Sequence, residues 1–401
     1  MMLPLLESLR DLGGEATPKA VYDAVATKLA LPPDVRHERR RVGVANQDIN
    51  VFERDVRWAR QKAVLRGWVD GAAPRNLWAL TEAGDTGLRN AKAGVVVTVY
   101  ETDLGLCMWA ECEAATALIA PDSVNLIFTS PPYPLLRRKD YANQHADRAH
   151  VEWLARCVDQ WRRVLTPDGS IMLNMGDTFL PGRPEMSLWQ ERLLLELVDR
   201  VGLTLCQKLF WENPAKMPAP AEWVTVRRVR VTPSVEQIWW LAKTAHPKAN
   251  NRRVLREYSA SMRARIAAGG DRATARPSGH VLKAGAFAAD NGGSISHCLI
   301  TAANPSSNDA YQRGCKALGI PAHPARFPAA LAEFGIRLTT DEGDLCYDPM
   351  SGSNTFGEMA EHLGRRWLAS EKALLYARGG GLRFADRPSL VTFFDRLADA
   401  A

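Results

Sequence analysis

The chain lacks an apolar run long enough to span a bilayer, and its N-terminus lacks the pattern of a signal peptide. Its seven cysteines are scattered and form no C-x-x-C pair, so neither a zinc site nor any other metal is expected. Because no secretory signal is present, reduced thiols in a cytoplasmic protein are the expected state. Internal repeats are also missing, which argues against a solenoid or a propeller.

The composition is that of a globular protein with a large core. The 401 residues are 46% hydrophobic and 24% charged, and this length allows two or three domains. Basic residues exceed acidic ones and give a net charge of +6. This excess favours a polyanionic partner such as nucleic acid, although many basic proteins bind none.

A Ser-Pro-Pro-Tyr tetrad follows the apolar run 124–128, which is typical of a buried strand in a parallel sheet. Pro131 and Pro132 keep the chain extended at the carboxyl end of that strand, where ligands bind in open α/β sheets. The Ser130 hydroxyl and the Pro131 carbonyl can accept hydrogen bonds from an exocyclic amino group on a planar base. The Tyr133 ring can stack on that base. The alternative is a simple proline turn.

A second signature lies near the C-terminus, where predicted strands at 343–348 and 366–370 flank a loop and a helix. Gly352 in the loop lets the backbone approach a ligand, and the start of the helix offers free N–H groups. Glu371 follows the second strand, where a carboxylate can accept both hydroxyls of a ribose. Because G-x-G-x-x-G is absent, a cofactor with a ribose and an amino-acid tail fits better than a dinucleotide.

The two signatures resemble motifs of the beta-class DNA amino-methyltransferases, which methylate cytosine N4 or adenine N6. Residues 130–133 resemble motif IV and residues 348–355 resemble motif I, with Met350 in place of the usual Phe. The element His-Pro-Ala-Arg-Phe-Pro at 323–328 precedes motif I. The catalytic motif comes before the cofactor motif, as it does in the beta class. The form Gly-Ser-Asn-Thr at 352–355 is familiar among N4-cytosine members.

The resemblance implies S-adenosyl-L-methionine as the cofactor and a target base that leaves the duplex. The implied catalytic residues are Ser130, Pro131, Pro132 and Tyr133. The implied cofactor residues are Asp348, Pro349, Met350, Gly352, Ser353, Asn354, Thr355 and Glu371, with Phe327 as a candidate aromatic contact. Asp103, after a predicted strand at 95–100, is a candidate contact to the adenine of the cofactor, with a solvated loop acid as the equal alternative.

Residues 1–90 are predicted to form a winged-helix domain of three helices and a β-hairpin. Residues 56–60 and 77–84 resemble the N-terminal domain of the Mrr restriction proteins. The third helix, 50–66, has its apolar residues on one face and most of its arginines elsewhere. Two of these arginines are predicted to contact DNA, Arg54 and Arg57. The alternative is a packing module whose arginines are solvated.

Alternating strands and helices in the rest of the chain indicate an α/β fold. The resemblance implies a Rossmann-like methyltransferase sheet with helices on both faces. It assigns residues 95–245 to a catalytic half, 246–320 to an inserted target-recognition region and 321–401 to a cofactor-binding half. Arginine in the inserted region suits phosphate contact and the reading of guanine. Further predicted DNA contacts are Arg137, Arg252 and Arg253, with solvated surface charge as the alternative.

Three functions are compatible with the sequence. The first is site-specific methylation of cytosine N4 in DNA, in a restriction-modification or epigenetic context. The second is N6-adenine methylation, which Ser130 disfavours because Asp is commoner at that position in adenine enzymes. The third is a non-catalytic winged-helix DNA-binding regulator, which the complete tetrad and Glu371 disfavour. Double-stranded DNA is the expected partner; a cognate restriction endonuclease and a homodimer are further candidates, and no membrane partner is expected.

Overall fold

The computed structural model describes residues 2–29, 31–42, 47–65, 67–74, 76–82, 84, 90–133, 147–180, 182–275, 277–304 and 308–392. Arg137, one of the predicted DNA contacts, lies outside the described residues. Within these ranges, no helix is both long and apolar enough to cross a membrane.

The described residues of the N-terminal region form four helices and two small antiparallel strand pairs. Its helices are Met2–Asp11, Pro18–Lys28, Pro33–Arg36 and Val51–Leu65. Its strands are β1 (Glu15–Ala16), β2 (Arg39–Val42), β3 (Gln47–Asn50) and β4 (Trp78–Ala79). β1 pairs with β4, and β2 pairs with β3. A bridge between Val69 and Leu80 joins the two segments of the predicted hairpin.

Helix Val51–Leu65 forms where the periodicity predicts it. Its buried residues recur at three- and four-residue spacing and are Phe52, Val56, Ala59 and Ala63. The sequence does not predict the β2–β3 hairpin. Arg39, Arg40 and Arg41 of β2 are exposed, so this strand lacks the apolar alternation that marks a half-buried strand.

The rest of the chain is built around one large sheet. Its strands and those of the inserted region are β5 (Val97–Glu101), β6 (Gly105–Trp109), β7 (Val124–Thr129), β8 (Leu165–Met175), β9 (Thr204–Glu212), β10 (Val235–Ala242), β11 (Thr274–Ala275), β12 (Val281–Leu282), β13 (Leu299–Thr301), β14 (Leu345–Asp348), β15 (Arg366–Glu371) and β16 (Val391–Thr392). Ten of them form the sheet in the order β13-β9-β10-β8-β7-β14-β15-β6-β5-β16.

The five central strands of this sheet, β8, β7, β14, β15 and β6, run parallel. β7 ends at Thr129, immediately before the tetrad, and β14 ends at Asp348, where the predicted cofactor loop begins. β14 pairs directly with β7, which confirms the prediction that these are adjacent central strands. The carboxyl ends of both strands therefore open on the same edge of the sheet.

Helices cover both faces of the sheet, which confirms the predicted α/β architecture. One core contains the helices Cys112–Ala117, Asp147–Val164 and Trp189–Asp199. The other contains the helices Ala329–Thr339, Thr355–His362 and Leu374–Gly380. β7 supplies both cores by strand alternation, since Leu126 and Phe128 belong to one core and Ile127 to the other.

The segment 246–320 contributes less regular structure. It contains the helices Ala260–Ala267 and Ala310–Ala317 and the β11–β12 hairpin. β13 extends the large sheet by pairing parallel to β9. The predicted target-recognition segment is therefore joined to the edge of the catalytic sheet.

Candidate active site

A cavity of about 840 Å³ opens at the carboxyl edge of the parallel strands. Its wall is formed by the segments that follow β6, β7, β14 and β15 and by residues near 323–327. The sequence-predicted residues that line it are Ser130, Pro131, Pro132, Tyr133, Phe327, Pro349, Met350, Gly352, Ser353, Thr355 and Glu371. The structure thus brings the tetrad and the predicted cofactor loop to one cavity.

The tetrad presents two hydroxyl groups to this cavity. Ser130 Oγ lies 3.0 Å from the Tyr133 hydroxyl. Asn174 on β8 approaches both groups, with its Nδ2 3.4 Å from each hydroxyl oxygen. Gly176 packs against the Tyr133 ring so closely that a Cβ on Gly176 would lie 2.4 Å from ring atom Cε2. The position of the Tyr133 ring therefore depends on glycine at position 176. The contact between Tyr133 and Ser130 depends on it as well.

An ion pair that the sequence does not identify as part of the site lies beside the tetrad. Lys216 Nζ donates to Glu236 Oε1 at 2.8 Å. Asn174 Nδ2 donates to Glu236 Oε2 at 3.0 Å, and the Tyr133 hydroxyl lies 3.4 Å from the same oxygen. Because β10 is antiparallel to β8, its first residues reach the edge at which β8 ends. That orientation is the signal that places Glu236 near the tetrad.

The cofactor loop is held by the carboxylate of Glu371. One of its oxygens accepts the Gly352 N–H at 2.8 Å, and the other accepts the Ala373 N–H at 2.8 Å. Burial raises the pKa of Glu371. Gly352 has a φ of +53°, and a Cβ there would lie 3.1 Å from the His323 ring. Each carboxylate oxygen keeps a further lone pair for a hydroxyl group in the cavity.

Asp348 lies at the end of β14 and is only 1% exposed. Its Oδ1 accepts the Met350 N–H at 3.1 Å. Burial raises the pKa of Asp348 from 3.8 to about 7, and the nearby charge of Glu371 also raises it. A positively charged ligand in the adjacent cavity stabilises the ionised form of a carboxyl of this kind. The pair of carboxyls therefore fits a ligand that carries both ribose hydroxyls and positive charge.

Asn354 has a structural role that corrects its prediction as a cofactor contact. It is 1% exposed and adopts left-handed backbone angles, φ 54° and ψ 38°. Its Oδ1 accepts the Gly357 N–H at 3.1 Å and caps the helix Thr355–His362. Its Nδ2 donates to the Tyr100 hydroxyl at 2.8 Å. These contacts occupy the side chain away from the cavity and fix the start of the helix.

Phe327, the candidate aromatic contact, lies in the wall of the cavity. It is half-buried, lines the cavity and lies against Phe128 with a ring-centroid distance of 5.3 Å. Phe356, which follows the Gly-Ser-Asn-Thr segment, stacks on the same Phe128 ring at a centroid distance of 5.5 Å. Phe327 is therefore backed by buried aromatic side chains, whereas its outer surface faces the cavity.

The structure corrects the prediction for Asp103. The sequence does not predict β6, which forms a tight antiparallel hairpin with β5. Asp103 lies in the turn of that hairpin, next to Gly105, which pairs with Trp367 near the start of β15. The turn is therefore at the edge of the sheet opposite the cavity. At the cavity edge, β6 is followed by Glu111, which lines the wall and accepts a hydrogen bond from Lys372 Nζ at 2.8 Å.

The predicted DNA-binding arginines have different surroundings. Arg57 is exposed and lies 3.6 Å from Glu53, and Arg54 is partly exposed and lies 3.3 Å from Asp55. Arg252 is exposed on a short turn. Arg253 on the same turn donates to the Thr340 carbonyl at 2.6 Å and pairs with Asp341, before the start of β14. Arg253 thus binds the chain at the edge of the sheet opposite the cavity. This position corrects its prediction as a DNA contact.

Three potential metal ligands come together beside the cavity, where Cys112 and Glu113 line the wall and Cys157 is fully buried. Their spacing in the sequence gives no metal motif. The Cys112 and Cys157 thiols lie 3.7 Å apart. They donate to the Glu113 carboxylate at 3.1 and 3.4 Å, and Trp153 Nε1 donates to it at 2.8 Å. These three hydrogen bonds account for the position of the carboxylate.

Comparisons with known proteins agree with this geometry. The family model for DNA methylases matches residues 124–379, and the model for the Mrr N-terminal domain matches residues 1–90. The Type II methyltransferase M.PvuII of Proteus hauseri is 40% identical over 269 residues, which cover 66% of this chain and 79% of that protein. The Type II methyltransferase M.SfiI of Streptomyces fimbriatus is 31% identical over 146 residues, 32% of this chain and 33% of that protein.

A solved structure gives the same result for the fold. The PvuII DNA methyltransferase, described as cytosine-N4-specific, superposes with a TM-score of 0.59 and 31% identity over 75% of this chain and 94% of that chain. The fold and the site define a DNA-modifying transferase with a nucleotide-type cofactor. The chain belongs to the DNA methylase family and carries an Mrr N-terminal domain. Its cofactor is S-adenosyl-L-methionine, which has the hydroxyls and the positive charge that the cavity fits.

Proposed function

We propose that the protein transfers a methyl group to the N4 amino group of cytosine at specific sites in DNA. The observation that carries the proposal is the cavity shared by the Ser-Pro-Pro-Tyr tetrad and the loop held by Glu371. The cytosine specificity of the PvuII relative supports the choice of base. Ser130, rather than Asp, at the first tetrad position favours the same choice.

The tetrad acts by positioning an amino group that is a poor nucleophile, because its lone pair is delocalised into the ring. Ser130 Oγ and the Pro131 carbonyl accept hydrogen bonds from its two N–H groups and hold the nitrogen towards a tetrahedral shape. Tyr133 packs against the flipped base. Glu371 holds the ribose of the cofactor, while Asp348 and the loop amides hold its amino-acid end. The bound cofactor supplies an electrophilic methyl group on a sulfonium.

The product identifies the reaction directly. We expect unmethylated genomic DNA, incubated with the protein and isotope-labelled cofactor, to yield labelled N4-methylcytosine after digestion to nucleosides and mass spectrometry. Labelled N6-methyladenine as the sole product would replace cytosine by adenine as the target. Sequencing of the same DNA then gives the recognition site.

Gly176→Ala tests the support of the Tyr133 ring. The added Cβ would lie 2.4 Å from the ring, so the tyrosine must shift away from its present place. A displacement of this size costs about 100-fold in rate when groups must be aligned for transfer. We expect a loss of that order in single-turnover methylation, with an unchanged dissociation constant for the cofactor. A wild-type rate would show that the ring position does not matter.

The raised pKa of Asp348 predicts pH-dependent cofactor binding. We expect affinity for S-adenosyl-L-methionine to increase as pH rises through about 7, where Asp348 ionises and can stabilise a cation. Calorimetric titration across this range measures the effect, and Asp348→Asn should flatten it.

The stability of the ligand-free fold has the opposite dependence on pH. Its raised Asp348 pKa means that the folded state retains a proton lost by the unfolded chain, so stability falls as pH rises from about 4 to about 7.

The remaining assignments complete the proposal. Residues 1–90 are a winged-helix module that contacts double-stranded DNA through Arg54 and Arg57 on helix Val51–Leu65. Residues 246–320 form the target-recognition region between the catalytic and cofactor halves, 95–245 and 321–401. A cognate restriction endonuclease and a homodimer are the proposed protein partners.

Charge reversal at Arg57 should weaken DNA binding and leave cofactor binding unchanged, as a filter-binding assay with labelled DNA would show.

A further inference from the structure

Methyl transfer to an amino group leaves one proton to be removed, and the tetrad alone does not show where that proton goes. The nitrogen begins with two protons and ends with one proton and a methyl group. Ser130 Oγ is placed to accept the lost proton, but the serine is within the cavity and carries a proton of its own. A group that finally holds the charge must therefore lie further along a hydrogen-bonded path.

Such a path is present beside the tetrad. Ser130 Oγ lies 3.0 Å from the Tyr133 hydroxyl, which lies 3.4 Å from Glu236 Oε2. The side chain of Glu236 is 14% exposed, and that of its partner Lys216 is 32% exposed. The path thus runs from the cavity towards solvent and ends on a carboxylate whose negative charge Lys216 stabilises.

We propose, on the basis of the proposed function, that Glu236 is the final acceptor of the amino proton, which reaches it through Ser130 and Tyr133. The nitrogen lone pair forms the bond to the methyl carbon, and the sulfur keeps the electron pair of the bond that breaks. The amino proton moves to Ser130 Oγ, the serine proton to the Tyr133 oxygen, and the tyrosine proton to Glu236. Each hydroxyl gains one proton and loses one, and Glu236 ends as the neutral acid.

The surroundings of Glu236 fit this role. Among the described residues, the charged and titratable groups that face it are Lys216, Tyr133 and Asp177. Burial and then the charge of Glu236 raise the pKa of Tyr133 well above its usual value, so Tyr133 stays protonated and passes a proton only as it receives one. Burial also raises the pKa of Asp177, followed by the charges of Glu191 and Glu236. Asp177 therefore needs its own variant in any pH experiment.

The test is single-turnover methylation of unmethylated genomic DNA at saturating labelled cofactor, measured against pH. Glu236→Gln should slow transfer about 100-fold, the lower range for loss of a proton acceptor, and should remove the fall in rate at acid pH. Asp177→Asn should keep that fall. Glu212→Gln is the matched control, since Glu212 ends β9 and accepts a hydrogen bond from Thr301 at 2.8 Å. Its rate should equal that of the wild type.

Chemical rescue separates proton acceptance from structural support. Formate should partly restore the rate of Glu236→Ala, because a small carboxylate can occupy the vacated space, but it should not restore Tyr133→Phe. Cofactor binding and thermal unfolding report whether each variant folds. The relay is overturned if Glu236→Gln is slow with the wild-type pH profile and formate does not rescue Glu236→Ala. A wild-type protein that labels no base overturns the proposed function itself, whereas labelled adenine overturns only the choice of cytosine.

Discussion

Ser130→Ala is expected to reduce single-turnover methylation by about 100- to 1,000-fold, the usual loss when one preorganised hydrogen-bond partner of a reacting group is removed. The serine hydroxyl is 3.0 Å from Tyr133 and faces the cavity that Glu371 also lines. Without it, the amino group loses one of its two acceptors and the first step of the proposed proton path. The measurement is the rate of appearance of labelled N4-methylcytosine at saturating cofactor and DNA.

The matched control for this variant is Ser123→Ala. Ser123 lies just before β7, where its Oγ donates to the Ala120 carbonyl at 2.7 Å. The Ser123→Ala variant also loses a serine hydroxyl, but at the other end of β7, and should have the wild-type rate. Cofactor affinity should be nearly the same for both variants and the wild type. Weaker cofactor binding by Ser130→Ala would place this serine in the cofactor site and contradict its proposed role.

Sequence patterns locate the central strands because each is an apolar run with a strong stop. β7 is followed by Ser130 and two prolines, and β14 is followed by a loop with Gly352. The family motifs then identify these two strands as neighbours, and the pairing of β14 with β7 agrees. Tyr133 and Glu371 were consequently predictable as residues of one edge, although their 238-residue separation hides any contact.

The sequence-based predictions fail where the role of a residue depends on a partner far away in the chain. β6 is a five-residue strand separated from β5 by a tight turn, so the two strands look like one segment and the acidic turn looks like a strand end. Asn354 belongs to the motif, but its role follows from the Tyr100 hydroxyl, 254 residues away in the sequence. Lys216 and Glu236 meet only because β10 is antiparallel to β8. Periodicity within one element carries no information on any of these contacts.

Glu371→Ala is expected to weaken cofactor binding, whereas Ser130→Ala slows transfer. The reason is that Glu371→Ala removes a carboxylate from the cofactor side of the cavity. Hydrogen bonds to a charged group are worth about 1.5–3 kcal/mol each, so the loss of those to the ribose should raise the dissociation constant for S-adenosyl-L-methionine at least about 100-fold. The substitution also leaves the Gly352 and Ala373 N–H groups without the acceptor that holds them at 2.8 Å. Calorimetric titration of the folded variant measures this loss.

Glu333→Gln is the control for removal of a negative charge, since the Glu333 side chain is 44% exposed and pairs with Arg337 on helix Ala329–Thr339. It should bind the cofactor as the wild type does. Saturating cofactor should recover most of the transfer rate of Glu371→Ala, because the tetrad on the other side of the cavity is intact. That recovery distinguishes a binding residue from one that acts on the amino group. Wild-type affinity in Glu371→Ala would place the ribose elsewhere in the cavity.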